Sequence, residues 1–465
     1  MKMMDESAVH ETSRTVGQVF KVVGGGTPAT SVSKFWQGSI PWITSADLDE
    51  HLKITPRKAI TKEAIDASAT NLVPSGSVIV ATRVGLGKVG VAQEPLCFSQ
   101  DCQGLVLDLK TCDPRFVALQ LKQRVQIFKH ISRGTTISGV TKQQLLDLPF
   151  ELPLLTEQQR IVAEIEKQFS RLDEAVASFK RVKANLKRYK ASVLKAAVEG
   201  KLTEDWRKAH PDIEPASKLL ERILAERRAK WTGRGKYKEP VAPDTNDLPP
   251  LAEEWTWTAL EQLSWDSSYG TSVKCSYENS GPTVLRIPNI ESGKLDFGDI
   301  KHAPKSFEIE QGKELSIGDV LIIRTNGSRS LIGRSAVIRQ PIPSRSTYAS
   351  YLIRFRLMQQ SEVIAWVSTV WDADFFRQWI EQRAATSAGQ HNISMTVLAT
   401  LPMPLPPLAE QEQIVAEVER RLSVIEELEA SVEANLTRAD RLRQSILANA
   451  FAGKLVRDSL REQSA

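Results

Sequence analysis

LPFELPLLTEQQRIVAEIE, residues 148–166, and LPMPLPPLAEQEQIVAEVE, residues 401–419, are two copies of one segment. The register continues without a gap: Ser192 falls on Ser445, Leu194 on Leu447, and Gly200-Lys201-Leu202 on Gly453-Lys454-Leu455. A match sustained over about 55 positions marks an internal repeat, and repeats outrank other sequence signals in deciding architecture. Each copy reads as a long helix entered through a proline corner. Pro153 and Pro406 hold the approach extended, and Thr156 suits the first N-cap. Neither Gly nor Pro occurs between Thr156 and Glu199 or between Ala409 and Ala452, and Gly200 and Gly453 stand where a terminating glycine belongs. At ~1.5 Å per residue each helix would be about 65 Å long.

Apolar residues recur along both helices in steps of three and four. The first carries Ile161, Ile165, Phe169, Leu172, Val176, Phe179, Val182, Leu186, Tyr189 and Val193; the second carries Ile414, Val418, Leu422, Ile425, Leu428, Val432, Leu436, Leu442 and Ile446. A stripe this narrow on an otherwise charged helix is the seam of a coiled coil; the alternative is two helices buried in separate cores. Residues 156–202 are net basic and 409–455 net acidic, which favours pairing with each other over self-pairing. Pairing within one chain fits antiparallel helices best. The end of the first helix then lies beside the start of the second, and the segment between them need not span the rod.

Ahead of each helix stands a non-helical block. Leu72–Ala92 (LVPSGSVIVATRVGLGKVGVA) and Leu315–Ile338 (LSIGDVLIIRTNGSRSLIGRSAVI) both read as strand, glycine loop, strand. Gly76 corresponds to Gly318, Gly85 to Gly327, and Gly87-Lys88 to Gly333-Arg334. The fold class expected is α+β, with two globular α/β domains separated by two long helices in an antiparallel intramolecular coiled coil. The boundaries expected are a first domain over 1–155, helix 156–200 and a connector over 201–250. A second domain over 251–406, helix 407–455 and a tail 456–465 follow. The connector should hold a short charged helix from about Pro215 and then a loose Gly/Pro-rich stretch.

Composition is that of a folded multidomain protein, with 465 residues, 41% hydrophobic and 25% charged. A net charge of +5 permits nucleic-acid binding without demonstrating it. Cys97, Cys102, Cys112 and Cys275 form no CxxC pair and read as thiols of a reducing compartment. With no apolar signal core and no membrane-length apolar run, a cytoplasmic protein away from membranes is expected.

Motifs for chemistry are missing. Gly24-Gly25-Gly26-Thr27-Pro28-Ala29 fits a dinucleotide-type glycine pattern, but no helical stripe follows it, so a turn is expected. There is no phosphate-binding GxxxxGK[ST] loop, no NPPY-type tetrapeptide and no histidine cluster. A binding or scaffolding role is therefore expected, with no catalytic residue, cofactor site or metal site in this chain.

DNA contact is most plausible in the second block. Residues 315–356 hold seven arginines and a single acid, Asp319, and arginine suits both phosphates and guanine edges. The candidates there are Arg324, Thr325, Asn326, Ser328, Arg329 and Arg334, joined by Arg286 and Asn289 upstream and by Gln390 and His391 in the polar turn 386–394. A solvated basic edge strand would give the same pattern. The first block offers Lys34, Thr44, Ser45, Arg83, Lys88, Arg133 and Thr135, the last two in the polar turn 133–139. Either polar turn could cap local structure or touch DNA.

The segment GGGTPA…FWQGSIPWITSADL, the doubled LPLLTEQQRIVAEIE and LPPLAEQEQIVAEVE, and GKLTEDWR after the first helix resemble the specificity subunits of type I restriction–modification enzymes. The resemblance covers nearly the whole chain. It implies two target recognition domains, each reading half of a split double-stranded DNA target, with the paired helices as a spacer. It also implies two modification subunits that carry S-adenosylmethionine, and two restriction subunits that use ATP and Mg. A coiled-coil scaffold without sequence-specific DNA binding, or a stand-alone DNA-modifying enzyme, would be the rival readings. One departure stands out: LTEDWR and its following helix come only after the first repeat, which puts the equivalence of the two docking surfaces in doubt.

Overall fold

A computed structural model of the chain describes residues 14–131, 139–231, 235–291, 293–342, 344–358, 361–387 and 389–454. It divides into two units, one formed by 1–180 with 433–465 and the other by 181–432.

The first unit contains strands β1 (Arg14–Thr15), β2 (Lys21–Gly24), β3 (Ile40–Ile43), β4 (Lys58–Ile60), β5 (Val78–Ala81), β6 (Val89–Val91), β7 (Cys97–Phe98), β8 (Cys102–Val106) and β9 (Pro149–Phe150). Its helices are α1 (Val16–Val19), α2 (Lys62–Asp66), α3 (Pro114–Ile131), α4 (Lys142–Leu146) and the beginning of α5 (Leu155–Val198). One antiparallel sheet has the order β2-β8-β5-β6, and a second has the order β4-β3-β7 with β3 and β7 parallel. The run VIVA of β5 is wholly buried because both its faces are covered. Val78 and Val80 share a core with Phe116, Val117 and Leu121 of α3. Ile79 and Ala81, one residue out of phase, share another with Ile43, Leu48 and Phe98. A period of two sends alternate side chains to opposite layers.

The second unit continues with α6 (Glu204–Ala209), α7 (Ala216–Ala229), β10 (Thr256–Ala259), β11 (Ser264–Tyr269), β12 (Thr283–Leu285), β13 (Ile290–Glu291), β14 (Lys294–Leu295), β15 (Lys301–His302), β16 (Asp319–Ile323) and β17 (Thr325–Asn326). Then come β18 (Ser335–Val337), β19 (Ser346–Tyr348), β20 (Leu352–Leu357), α8 (Ser361–Val370), α9 (Asp374–Arg383), β21 (Ala385–Ser387), β22 (Gln390–Asn392), α10 (Met395–Ala399), β23 (Pro402–Leu405) and α11 (Leu408–Phe451). The topology of the first unit recurs strand for strand. The sheet β11-β20-β16-β18 matches β2-β8-β5-β6, and β15-β12-β19 matches β4-β3-β7, again with one parallel pair. The pair β10-β23 matches β1-β9. Among the described residues, the β13-β14 hairpin and a small sheet β17-β22-β21 have no counterpart in the first unit.

Two of the three aligned glycine pairs, Gly76/Gly318 and Gly87/Gly333, share a positive φ, whereas Gly85 has φ +70° and Gly327 does not lie in that region. Gly87 and Gly333 open the return strands at φ +85° and +78°, a left-handed conformation that a side chain disfavours. Gly25 and Gly270 are close-approach positions: a Cβ on either would lie 2.1 and 2.3 Å from a carbonyl oxygen, of Ser99 and of Ala349 or Tyr348. Gly24-Gly25-Gly26 thus packs backbone on backbone, and no α-helix opens behind it.

Both long helices span 44 residues and end at glycines of positive φ, Gly200 at +68° and Gly453 at +70°. They pair antiparallel in each unit. In the first, Ile161 and Ile165 share a core with Leu447 and Ala450, and farther along α5 Leu172 meets Ala439 and Ile446. Arg443 of α11 pairs with Asp173 of α5, with signs opposite to the net-charge bias, and lies 4.9 Å from the Phe169 ring. In the second, Val193 and Leu194 of α5 share a core with Ile414 and Val418 of α11. The seam is narrower than the apolar stripe suggests, since Val182, Tyr189, Leu428 and Leu442 are exposed. Cysteines introduced near Gln159 and Leu447 should crosslink within one chain, whereas a Gln159–Gln411 pair should not. The reverse pattern would overturn the antiparallel arrangement.

The start of the connector is structural. Ala216, Leu219 and Ile223 of α7 are buried in the core of the second unit, and Pro215 caps that helix. The short helix α6, formed by EDWRKA, carries a tie that periodicity could not reveal. Glu410, with no solvent exposure, accepts from Arg207 Nη2 at 2.6 Å, Thr203 Oγ1 at 2.6 Å and Trp255 Nε1 at 2.8 Å. Arg207 also donates to the Gly200 carbonyl at 2.6 Å. Its repeat counterpart, Glu157, is exposed. The described residues 235–250 form neither helix nor strand. Among the described residues no helix is long and apolar enough to cross a membrane.

Candidate nucleic-acid interface

The loop after β16 and the polar turn near residue 390, more than sixty positions apart in sequence, form one sheet. Thr325 pairs with Asn392 and Asn326 with His391, while Thr386 pairs with His391 across the β21-β22 turn. Thr325 Oγ1 donates to Gln390 Oε1 at 3.3 Å, and the Thr386 hydroxyl lies 2.9 Å from His391 Nδ1. The candidates Thr325, Asn326, Gln390 and His391 are thus neighbours on a small polar ribbon. Ser328 and Arg329 extend it, both exposed. Arg329 donates to the Glu381 carbonyl at 2.9 Å and Arg334 to the Ser330 carbonyl at 3.2 Å. Arg324 lies at the root of the ribbon with its guanidinium carbon 4.7 Å from the Tyr269 ring centroid.

The arginine-rich window divides on inspection. Arg354 is fully buried and pairs with Asp266 and Asp319. Arg356 binds Asp319 at 2.6 Å, Arg345 binds Glu314 at 3.1 Å and Arg339 binds Glu419 at 2.9 Å. Those four serve the fold. Their acids, apart from Asp319, stand outside the window, so a local count could not see them.

Of the two upstream candidates, Asn289 is corrected. Asn289 is fully buried, its amide donating to the Asp296 and Asp299 carbonyls at 3.0 and 2.9 Å. Its Oδ1 accepts from Arg286 N at 2.8 Å, and the Arg286 side chain binds Asp299 at 3.0 Å. Asn289 thus has no free edge for a base, while Arg286, with its Nε unpartnered, also builds the turn after β12.

In the first unit the equivalent turn follows β3. Thr44 Oγ1 accepts from Ala46 N at 3.3 Å and donates to Asp47 Oδ2 at 2.9 Å, and Ser45 is buried. Thr44 and Ser45 therefore shape this turn, a correction of their assignment to DNA. Burial opposes ionisation of Asp47, but hydrogen bonds from Arg57, at 2.5 Å, and from Thr44 outweigh it and hold the carboxyl below its ordinary range. The turn adjoins the β5–β6 loop, where a Cβ on Gly85 would stand 3.4 Å from both Ser45 and Lys88. On that loop Arg83 is exposed and Lys88 half-buried. Lys34 is elsewhere, paired with Glu63 of α2 at 2.6 Å. Arg133 and Thr135 lie outside the described residues. The flank of their turn reaches the loop, because Val140 N donates to the Thr82 carbonyl at 2.7 Å.

Burial pushes Cys97 up to about 11 and Cys102 up to about 12, so both stay protonated thiols. Among the described residues no group of three or more His, Cys, Asp or Glu side chains is placed to hold a metal ion. Sequence reading missed Tyr269, Arg377 and the Arg383–Trp379 stack at 4.3 Å, which support or flank the ribbon from other elements. Only pairing over long sequence separations brings them there.

A doubled β domain, each copy leading into one of two antiparallel helices, defines the class of protein. Residues 11–187 match the family described as type I restriction modification DNA specificity domain. The EcoKI specificity subunit of Escherichia coli strain K12 is 27% identical over 291 residues, which cover 62% of this chain and 54% of that one. The EcoEI specificity subunit of Escherichia coli is 26% identical over 285 residues, 60% of this chain and 47% of that one. The chain thus matches about half the length of these relatives. A solved structure concerned with complex assembly and conformational transition of the type I R-M system shares the fold. Its TM-score is 0.61 at 19% identity, over 95% of this chain and 97% of that one.

Proposed function

We propose that the chain is the sequence-reading subunit of a type I restriction–modification complex: it binds a two-part duplex target and docks catalytic subunits without performing chemistry itself. The observation that carries this is one strand topology built twice from different sequences, each copy leading into the same repeated helix. A shared frame with divergent loops suits two half-sites that differ, and relatives named as specificity subunits point the same way. The polar ribbon of the second unit and the Arg83–Lys88 loop of the first are the faces offered to DNA. Two modification subunits carrying S-adenosylmethionine and two restriction subunits using ATP and Mg would complete the assembly, working in the cytoplasm.

The test is to express the chain with methyltransferase partners and sequence the modified genomic sites. A split consensus is expected. Exchanging residues 255–400 for the matching block of another family member should change one half of that consensus and leave the other. Alteration of both halves would count against modular reading. DNA methylation by the purified chain alone would establish an enzyme instead, and failure to bind duplex with partners supplied would leave only a scaffold.

A further inference from the structure

We propose that Arg324 is the residue with which the second domain selects a guanine, and that Tyr269 is the positioning residue that presents it; this rests on the DNA-reading function proposed above. Among the seven arginines of residues 315–356, the other six are committed. Arg329 and Arg334 hold backbone carbonyls, and Arg339, Arg345, Arg354 and Arg356 hold carboxylates. The Arg324 side chain makes no hydrogen bond or ion pair among the described residues, and its Nε is buried without an acceptor. A partly desolvated guanidinium lacking an acceptor is costly to keep, and an incoming acceptor removes that cost.

The group is also held still. Arg324 N donates to the Tyr351 carbonyl at 3.0 Å, and its own carbonyl accepts from Ile393 N at 2.9 Å, so its backbone is pinned between β20 and β22. The guanidinium carbon stands over the Tyr269 ring, 4.7 Å from its centroid. That ring is fixed through the pairing of Tyr269 with Ile353 and through its hydroxyl, which accepts from Met395 N at 3.2 Å. Contact with the ring leaves the in-plane N–H donors of the guanidinium available. Two such donors in a fixed fork match the paired O6 and N7 acceptors of guanine. Phosphate binding needs charge but no fixed plane. Asn326, Gln390 and His391 on the adjoining ribbon would then flank the selected base pair.

The test uses the full-length chain and duplexes randomised in both half-sites, with base preference, affinity and salt dependence read for each variant. R324A should lose preference for a G·C pair at one position of one half-site by about ten- to a hundredfold, keeping the other half-site. R324K, which retains charge but lacks the fork, should lose the same preference with overall affinity and salt slope preserved. Y269L should weaken preference at that same position, and R324A/Y269L should be no worse than R324A. Y269F, which keeps the ring, should retain most of the selectivity. Uniform weakening by R324A with a flatter salt slope would make Arg324 a phosphate contact and overturn the inference. So would a Y269L effect at another position, or one that adds in full to R324A. If the wild-type chain selects no sequence, the DNA-reading function itself falls, an outcome distinct from selection that ignores Arg324.

Discussion

Replacing Glu410 by alanine is expected to destabilise the second unit by about 3–5 kcal/mol, the usual cost of breaking a buried ion pair from one side. The carboxylate is wholly inaccessible and gathers donors from α6, from Thr203 at the N-cap of that helix and from the segment before β10. Its loss strands the largely buried Arg207 charge and the Trp255 indole N–H together. Glu410→Gln should cost less, because one acceptor survives. The repeat supplies its own control. Glu157 stands at the corresponding position of the first helix but is exposed, so Glu157→Ala should change stability by about 0.5 kcal/mol or less. Denaturant unfolding of the full chain measures both. Amide exchange should show protection lost near residues 200–209 and 252–260 and retained in β5 and β8. Equal effects of the two alanines would refute the asymmetry.

The second large effect is expected at Asp319. This fully buried carboxylate accepts from Arg356 at 2.6 and 2.8 Å and from Ser316 N at 2.8 Å, with Arg354 Nε 3.8 Å away. Asp319→Ala leaves two arginines beneath the sheet with only the half-exposed Asp266 as counter-charge, and should cost about 3–5 kcal/mol. Replacing Asp319, Arg354 and Arg356 together by apolar residues of similar size should recover most of that loss, because the desolvation cost disappears along with the pair. Urea unfolding distinguishes the cases. A triple variant as unstable as Asp319→Ala would show that shape, not charge balance, governs this core. In either variant that folds, the half-site proposed for the first unit should be unchanged.

The helices were legible because their signals are local: a gapless repeat, a three-four apolar step, a proline entry and a glycine exit, each readable within a few turns. The twofold use of one strand topology was only partly legible. The glycine corners could be aligned, but the strand pairings join distant segments, and β16 finds its neighbour β20 by no local rule. The same limit governed the site. Arg324–Arg329 and the turn near Gln390 were visible as two separate polar stretches, and β17-β22 pairing makes them one surface. Asn289, Thr44 and Ser45 misled because short polar residues that cap a turn look in sequence like residues that bind a ligand.

The first unit is closed by α11, the second copy of the repeated helix. Ile161 and Ile165 are covered by Leu447 and Ala450, and Phe116 meets Phe451 at 5.5 Å. During synthesis the apolar stripe of α5 therefore emerges long before its cover exists, and at roughly 5–20 residues per second the wait is on the order of tens of seconds. The nascent first domain spends that interval with an open seam. Any chain released before α11 has been made lacks the closing part of both units, so premature termination spoils the beginning of this protein as thoroughly as its end.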